Sequence, residues 1–532
     1  MSVHHAVVRV EELIGRAVLG ELVPAQLPLS PSLPYDLRDR ESILRYGLRI
    51  KGKTAREVCA KLGMPDPSAG QPGWKATKNF FGDLLERYYR LDPAKHSESH
   101  PDFAEANLEM KLLPLKRGHG KLLVKEPTSI SMIDYIHLKD ETWRTATVRP
   151  KLLHILFVFQ VMEREDPMAS WYRDLRIFDA NDLDQAIFET DWSGTHRMVL
   201  EGRAHELSET QAKVLAARRK GRGGAGEKRR PQPVTRFCPD APSRAWALKT
   251  AFTRQFLEEK VLNHSFEDAL PSLVEKLTTQ GLSPMEDHAR VLLASDEGRT
   301  LSEVASRAHI PLGGGKSLAA SLVKRRLSVR TLSPDASEFE IREFEKLGIT
   351  VKTLHLRSAD GLPFEAVSFP AVNLQELADQ SFDGEELEDG TVLRERCELI
   401  DQLTRILFVV TYSPEHDDKQ EQRYLGKAFF WSPTPQQWKT IQGDWERIRD
   451  QVREGKAAYD KPCTERGRAN QLTKGVILHM RPHGRVACDE DVDPKGQRVT
   501  KQSYWLNKSF VYQLVKENNA LPPGAVPKEE AS

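Results

Sequence analysis

Apolar and polar positions along the chain fall into a few patterns, each of which occurs twice. "KGKTAREVCAKLGMP" (51–65) sets Ala55, Val58 and Leu62 at helical spacing, and "EGRTLSEVASRAHIP" (297–311) does the same with Leu301, Val304 and Ala308. A Gly-basic-Thr leads each, and Glu-Val follows three positions after the Thr, as Glu57-Val58 and Glu303-Val304. The correspondence continues in order. "KNFFGDLLERYYRL" (78–91) answers to "KSLAASLVKRRL" (316–327), two amphipathic helices, and "PDFAEANLEMKLLPL" (101–115) answers to "REFEKLGITVKTLHL" (342–356). "VRPKLLHILFVFQV" (148–161) matches "LIDQLTRILFVVTY" (399–412), each ending in a buried strand, and "RAWALKTAFTRQFL" (244–257) matches "SYWLNKSFVYQLV" (503–515). Offsets between segment starts drift only from 238 to 259. The pattern predicts an α/β fold with a mixed sheet, built as two tandem copies of one domain. The expected boundaries are a proline-rich N-terminal arm over 1–34, a first domain over 35–265, a linker over 266–284 punctuated by Pro271, Gly281 and Pro284, a second domain over 285–520, and a tail over 521–532.

Within "PDFAEANLEMKLLPLK" (101–116) strand alternation puts Glu109 and Lys111 on one face and Leu108, Met110 and Leu112 on the other. Asp102 approaches Glu109 if its segment forms the neighbouring strand or turn. Two carboxylates brought together repel unless a cation lies between them, and hard oxygen ligands suit Mg2+. Lys111 beside them is placed to orient or deprotonate an attacking water and to offset charge gathering on a phosphorus centre. The set is that of a metal-dependent phosphodiester hydrolase. A solvated strand edge accounts equally for an isolated D-x6-E-x-K, so the surrounding sequence decides.

Composition narrows the class. At 532 residues the chain exceeds one ordinary core. Its 78 Lys and Arg stand against 77 Asp and Glu, so no global field draws it to polyanions and a nucleic-acid site must be built locally. Divided at residue 270, the chain carries +5 before and −4 after, which makes the first half the expected home of a phosphate-binding groove. The five cysteines show no CxxC pair or zinc-ligand spacing. The first thirty residues lack a signal-peptide pattern and no stretch reaches the roughly 18 apolar residues of a membrane span, so a soluble cytoplasmic protein without a membrane partner is expected. "ARRKGRGGAGEKRRPQP" (217–233), with seven Lys or Arg and four Gly, reads as a mobile loop, either solvated or phosphate-contacting.

The sequence resembles the MutH family of DNA endonucleases, and more closely its two-domain members, the type II restriction enzymes of the Sau-three-A-I type. "KNFFGDLLERYY", "PDFAEANLEMK", "VRPKLLHILFVF", "GRAHELSE" and "RAWALKTAF" carry the resemblance in family order, and the second copy extends it over nearly the whole chain. It implies two restriction-endonuclease-like domains. It also implies that Asp102, Glu109 and Lys111 are the catalytic acid, acid and lysine, that Glu86 completes a metal site with Asp102 and Glu109, and that Lys78 and Lys151 lie near the scissile phosphate. An exposed helix contact from Glu86 to Arg90, and solvated lysines, are the alternatives. The resemblance further implies that bases are read by Arg203, His205 and Glu206 in "EGRAHELSE" (201–209) and by Arg481 and His483 in "LHMRPHG" (478–484). One departure stands out: Ala247 occupies the place of a DNA-contacting tyrosine of MutH, so that role is not carried over.

The second copy replaces Glu86 by Lys324, Asp102 by Glu343, Glu109 by Thr350 and Lys151 by Gln402, while Lys316 and Lys352 persist. It is expected to be catalytically dead yet to bind DNA, as an allosteric or architectural unit; a degenerate copy retained only for packing is the alternative. "PLGGGKSLAAS" (311–321) resembles a P-loop but carries Ile310 where Walker A needs Gly, so no nucleotide cofactor is expected. The overall expectation is a Mg2+-dependent type II restriction endonuclease making double-strand cuts in DNA at GATC, 5′ of the G, with DNA-promoted self-association. A strand-nicking repair endonuclease and a non-catalytic DNA-binding regulator are the alternatives.

Overall fold

The computed structural model describes residues 33–69, 78–91, 100–118, 120–222, 227–309, 318–329, 340–388, 391–416, 418–457, 475–483 and 489–527. The N-terminal arm lies almost wholly outside these residues, as do Lys316 and most of the P-loop-like segment.

Three short helices open the first half: α1 (Arg40–Gly47), α2 (Ala55–Lys61) and α3 (Lys78–Tyr89). Strands β1 (Glu109–Gly118), β2 (Lys121–Val124) and β3 (Thr128–Met132) follow, then α4 (Arg149–Leu153), β4 (His154–Val161), β5 (Trp171–Asp179) and the long α5 (Asp182–Leu200). β6 (Leu215–Arg219), β7 (Arg244–Leu248) and α6 (Thr250–Lys260) complete it. The main sheet runs β2-β1-β4-β5, with β1 and β4 parallel and the outer pairs antiparallel. β3, β7 and β6 form a second, antiparallel sheet.

β4 is buried on both faces, which is why "HILFVFQV" reads as an apolar run rather than an alternation. One face of the main sheet, with Leu108, Met110, Leu156 and Val158, packs on Ile43, Phe81, Leu85 and Tyr89 of α1 and α3. The other, with Leu113, Leu115, Phe157 and Phe159, packs on Phe188 of α5 and Phe252 and Phe256 of α6. Each such side chain stabilises by roughly 1.5–3 kcal/mol when fully buried. Gly47 lets α1 sit against α3: a Cβ there would overlap the Tyr89 hydroxyl and meet Leu175 Cδ2 at 2.7 Å. Gly47→Ala is expected to destabilise by about 1–3 kcal/mol, read as a lowered denaturant midpoint, because neither neighbour has room to yield.

The second half begins with α7 (Pro271–Gln280), α8 (Leu282–Ala294), α9 (Leu301–Arg307) and α10 (Leu318–Leu327), followed by β8 (Ile349–Arg357) and β9 (Val367–Val372). A hairpin of β10 (Glu385–Glu386) and β11 (Val392–Arg394) leads to α11 (Leu399–Leu403), β12 (Arg405–Ser413), β13 (Tyr424–Leu425), β14 (Phe429–Trp431) and α12 (Pro435–Arg453). β15 (Leu478–Pro482), β16 (Gln502–Leu506) and α13 (Lys508–Glu517) close the chain. β8 and β12 are parallel, β13 and β14 pair antiparallel with β12, and β9-β16-β15 form a small antiparallel sheet.

Local devices recur between the halves. Thr54 and Thr300 each close a capping box, with Glu57 and Glu303, at the starts of α2 and α9. Asp191, mid-way along α5, accepts the backbone N–H groups of Lys213, Val214 and Leu215, and Asp444 of α12 accepts those of Val476, Ile477 and Leu478. Each Asp fixes the middle of its long helix to the start of the strand that follows.

Three expectations need correcting. The supposed linker is helical: Pro271 stands in the first turn of α7, Gly281 with φ 91° separates α7 from α8, and Leu273, Leu277, Met285 and Leu293 are buried in a core shared by both halves. The supposed punctuation is helix capping. The tail does not begin at 521, because Leu521 packs on the second half's core and Val526 N–H donates to the Ala359 carbonyl. The described part of the basic segment is partly buried rather than wholly solvated. Arg218 and Lys220 are buried against Glu386 of the β10–β11 hairpin at 3.0 and 2.6 Å, and Lys228 and Arg230 pair with Glu388. Acids from the second half thus compensate a cluster that, read alone, suggests phosphate.

Candidate active site

A tight turn before β1 builds the site. The helical turn at Ala104–Ala106 ends on Asn107 with φ 49°, a left-handed conformation that Asn tolerates, and Phe103 and Leu108 then exchange backbone hydrogen bonds of 2.9 and 3.1 Å. The reversal brings Asp102 alongside the start of β1, where its Oδ2 accepts the Met110 N–H at 2.8 Å. Leu108 and Met110 enter the core as alternation demands, and Glu109 and Lys111 turn to the opposite face.

There Glu109 is completely buried. Lys111 Nζ lies 2.6 Å from its Oε1 and Lys151 Nζ 3.8 Å from its Oε2. Lys151 arrives because α4 runs straight into β4, whose Ile155 is the register partner of Glu109. Both carboxylate oxygens are buried, each with a lysine amine as its ion-pair partner. Burial pushes the Glu109 carboxyl above the ordinary range; Lys111 and Lys151 pull against that and Asp102 adds to it. For Lys111 burial acts downward, but Glu109, Asp102 and Glu86 together hold its amine above the ordinary lysine value.

Asp102, Glu109, Lys111, Lys151 and Glu86 are therefore brought together, Glu86 through its field at Lys111. α3 starts at Lys78, whose side chain lies outside the described residues. Among the described residues no three His, Cys, Asp or Glu side chains are arranged to hold a metal ion by themselves. Mg2+ does not require such a cage: it keeps several waters and takes one or two carboxylates plus a substrate phosphate. A buried carboxylate flanked by two lysine amines and beside a second carboxylate fits that coordination. A divalent cation is accordingly expected to raise the unfolding temperature of the wild-type chain and not of Glu109→Gln. Because burial raises the carboxyl's pKa, protons compete for it, and the increase should shrink as the pH is lowered.

The base-reading candidates are placed differently. Arg203 leads a short helical turn, Ala204–Glu206, and its guanidinium is held by Glu206 at 2.7 Å and Glu201 at 3.1 Å, while His205 Nε2 lies 3.7 Å from Glu206. The group is exposed but self-paired, so contact with a base requires Arg203 to leave Glu206. Arg481 lies 3.7 Å over the ring of Trp505, and His483 Nδ1 is 3.2 Å from Ser503 Oγ. Sequence reading missed the Asp191 and Asp444 anchors; an Asp-Trp pair at the centre of each long helix was the available signal.

Comparison with known proteins follows this geometry. The family profile described as DNA mismatch repair enzyme MutH matches residues 91–191, the stretch holding Asp102, Glu109, Lys111 and Lys151. The type II restriction enzyme Sau3AI of Staphylococcus aureus is 26% identical over 474 residues, 83% of this chain and 93% of that protein. The DNA mismatch repair protein MutH of Vibrio campbellii (strain ATCC BAA-1116) is 27% identical over 41% of this chain and 92% of its own length, and that of Haemophilus influenzae (strain 86-028NP) is 27% identical over 41% and 89%. Among the described residues no helix is long and apolar enough to cross a membrane. With a MutH profile lying over the charged end of β1 and a likeness to Sau3AI extending through both halves, the comparisons support a MutH-like, Sau3AI-type endonuclease and indicate a site-specific deoxyribonuclease.

Proposed function

We propose that the chain is a type II restriction endonuclease that makes Mg2+-dependent double-strand cuts in DNA at GATC, on the 5′ side of the G, using one active site in the first half. The observation that carries this reading is the buried Glu109 carboxylate beside Lys111, Lys151 and Asp102 at the ends of two parallel strands. Glu109 and Asp102 would hold the cation, which when bound supplies a Lewis acid at the scissile phosphate. Lys111, kept protonated by three surrounding acids, orients the attacking water and offsets charge on the phosphorus as the 3′ oxygen leaves. Lys151 holds Glu109 in place and faces the phosphate. The products carry a 5′-phosphate and a 3′-hydroxyl.

The second half is read as a degenerate copy that binds DNA without cutting it. The recurring capping boxes, the parallel strand pairs and the Asp191 and Asp444 anchors support this. So do its changed residues. Lys324 pairs with Glu340, Glu343 accepts the Ala269 N–H at 2.8 Å, and Thr350 stands where Glu109 would be. One active site cuts one strand at a time, so a double-strand break requires two chains meeting on the site or two encounters, and DNA-promoted association is expected. Expected on supercoiled plasmid are linear fragments whose ends map to GATC. Accumulating open circle without linear product would favour a strand-nicking enzyme, the reading suggested by the MutH relatives. No Mg2+-stimulated cutting at all would favour a non-catalytic regulator.

A further inference from the structure

Asp102, Glu109 and Lys151 reach the site from two stretches of chain, the turn leading into β1 and the junction of α4 with β4, and one side chain outside the site touches both. Arg40, the first residue of α1, donates its Nε–H to the Ala106 carbonyl at 2.8 Å. Ala106 is buried and ends the helical turn that Asn107 then reverses, so this bond falls on the segment that carries Asp102 back to the Met110 N–H. The same guanidinium reaches the second stretch. Its Nη1 lies 2.9 Å from His154 Nδ1 and 3.5 Å from Asp179 Oδ1, and His154 Nδ1 lies 2.6 Å from that oxygen. His154 begins β4, three positions after Lys151 and next to Ile155, the register partner of Glu109.

Arg40 stands behind the site rather than in it. Alternation puts His154 on the face of Leu156 and Val158, which packs on α1 and α3, whereas Glu109 and Lys111 face the other way. What Arg40 fixes is therefore the spacing between two ends of the sheet. A guanidinium suits that task, because its planar fork of donors serves a carbonyl in one direction and the His154–Asp179 pair in another, where an ammonium is a single point charge. The helix that carries it is itself held: Asp39 caps α1 by accepting the Glu41 N–H, and Ile43 is buried against α3. The turn has its own local restraints in the Phe103–Leu108 bonds and the Asp102–Met110 bond, and Arg40 ties it to a separate element of the fold.

We infer that Arg40 is a positioning residue for DNA cutting: it clamps the turn bearing Asp102 to the start of β4, and so sets Asp102 at the distance from Glu109 and Lys151 at which a divalent cation is taken up. This rests on the reading that Asp102 and Glu109 hold the cation, and adds the residue that keeps Asp102 in place. The test compares the full wild-type chain with Arg40→Ala, Arg40→Lys and Glu109→Gln in two measurements. The first is hydrogen exchange of the metal-free proteins. Arg40→Ala is expected to speed exchange at the Leu108 and Met110 amides roughly tenfold and to leave Leu156 to Phe159 of β4 unchanged, whereas a general loss of stability would speed both. The second is the Mg2+ concentration that gives half-maximal single-turnover cutting of a GATC duplex. It should rise roughly tenfold or more in Arg40→Ala and return part of the way in Arg40→Lys, which keeps a donor for Ala106. If the local exchange or the half-saturation fails to move while Glu109→Gln stays inactive, Arg40 only supports the fold, so the proposal fails and the wider reading stands. Cutting by Glu109→Gln at the wild-type rate would sink the wider reading and the proposal with it.

Discussion

Replacing Glu109 by Gln is expected to slow DNA cutting by roughly a thousandfold or more while leaving the fold and duplex binding in place. Gln keeps the shape of a side chain that is completely buried, so no cavity opens. It removes one of the carboxylates expected to take a cation, and it strips Lys111 of the partner at 2.6 Å that positions its amine. Both losses fall on the transition state rather than on DNA binding, so they should lower kcat and spare KM. Single-turnover cleavage at saturating enzyme checks the first, and duplex binding without Mg2+ the second. Near-normal cutting by the variant would move the chemistry away from β1.

The second large effect is structural. Glu386→Gln is expected to destabilise the protein by about 3 kcal/mol, because it takes from the buried Arg218 and Lys220 the carboxylate they share, although Arg218 keeps Glu126 and Glu209. The contact joins the β10–β11 hairpin to the strand following the segment 201–209, and Gly221 N–H donates to the Glu386 carbonyl at 2.6 Å in the same place. Glu388→Gln, which removes a partly exposed carboxylate, should cost less because solvent screens the cations it pairs with. Guanidinium denaturation of the two variants against wild type measures the difference. Equal midpoints would show that this network adds nothing to the union of the halves.

Much of the site was legible in the sequence because strand alternation is rigid: once Leu108, Met110 and Leu112 are assigned to a core, Glu109 and Lys111 must face the other way. The approach of Asp102 was conditional, since nothing in the sequence shows that Asn107 adopts the left-handed conformation that reverses the chain. Polar segments were misread where their partners are remote. Arg218, Lys220, Lys228 and Arg230 look like a solvated loop until Glu386 and Glu388, more than 150 residues away, are seen to meet them. The pairing of Arg203 was not anticipated, because Glu206 three positions on is both a base-reading candidate and the group that restrains it. The linker was lost because Pro and Gly mark helix ends as readily as loops.

Crystals of the chain with an uncleaved GATC duplex, soaked in Mn2+ and measured for anomalous scattering, test the central claim most directly. The account predicts an ion peak between Asp102 and Glu109, against the phosphate 5′ of the G and within reach of Lys111. An ion bound elsewhere, or a duplex whose scissile phosphate lies away from the start of β1, would contradict it.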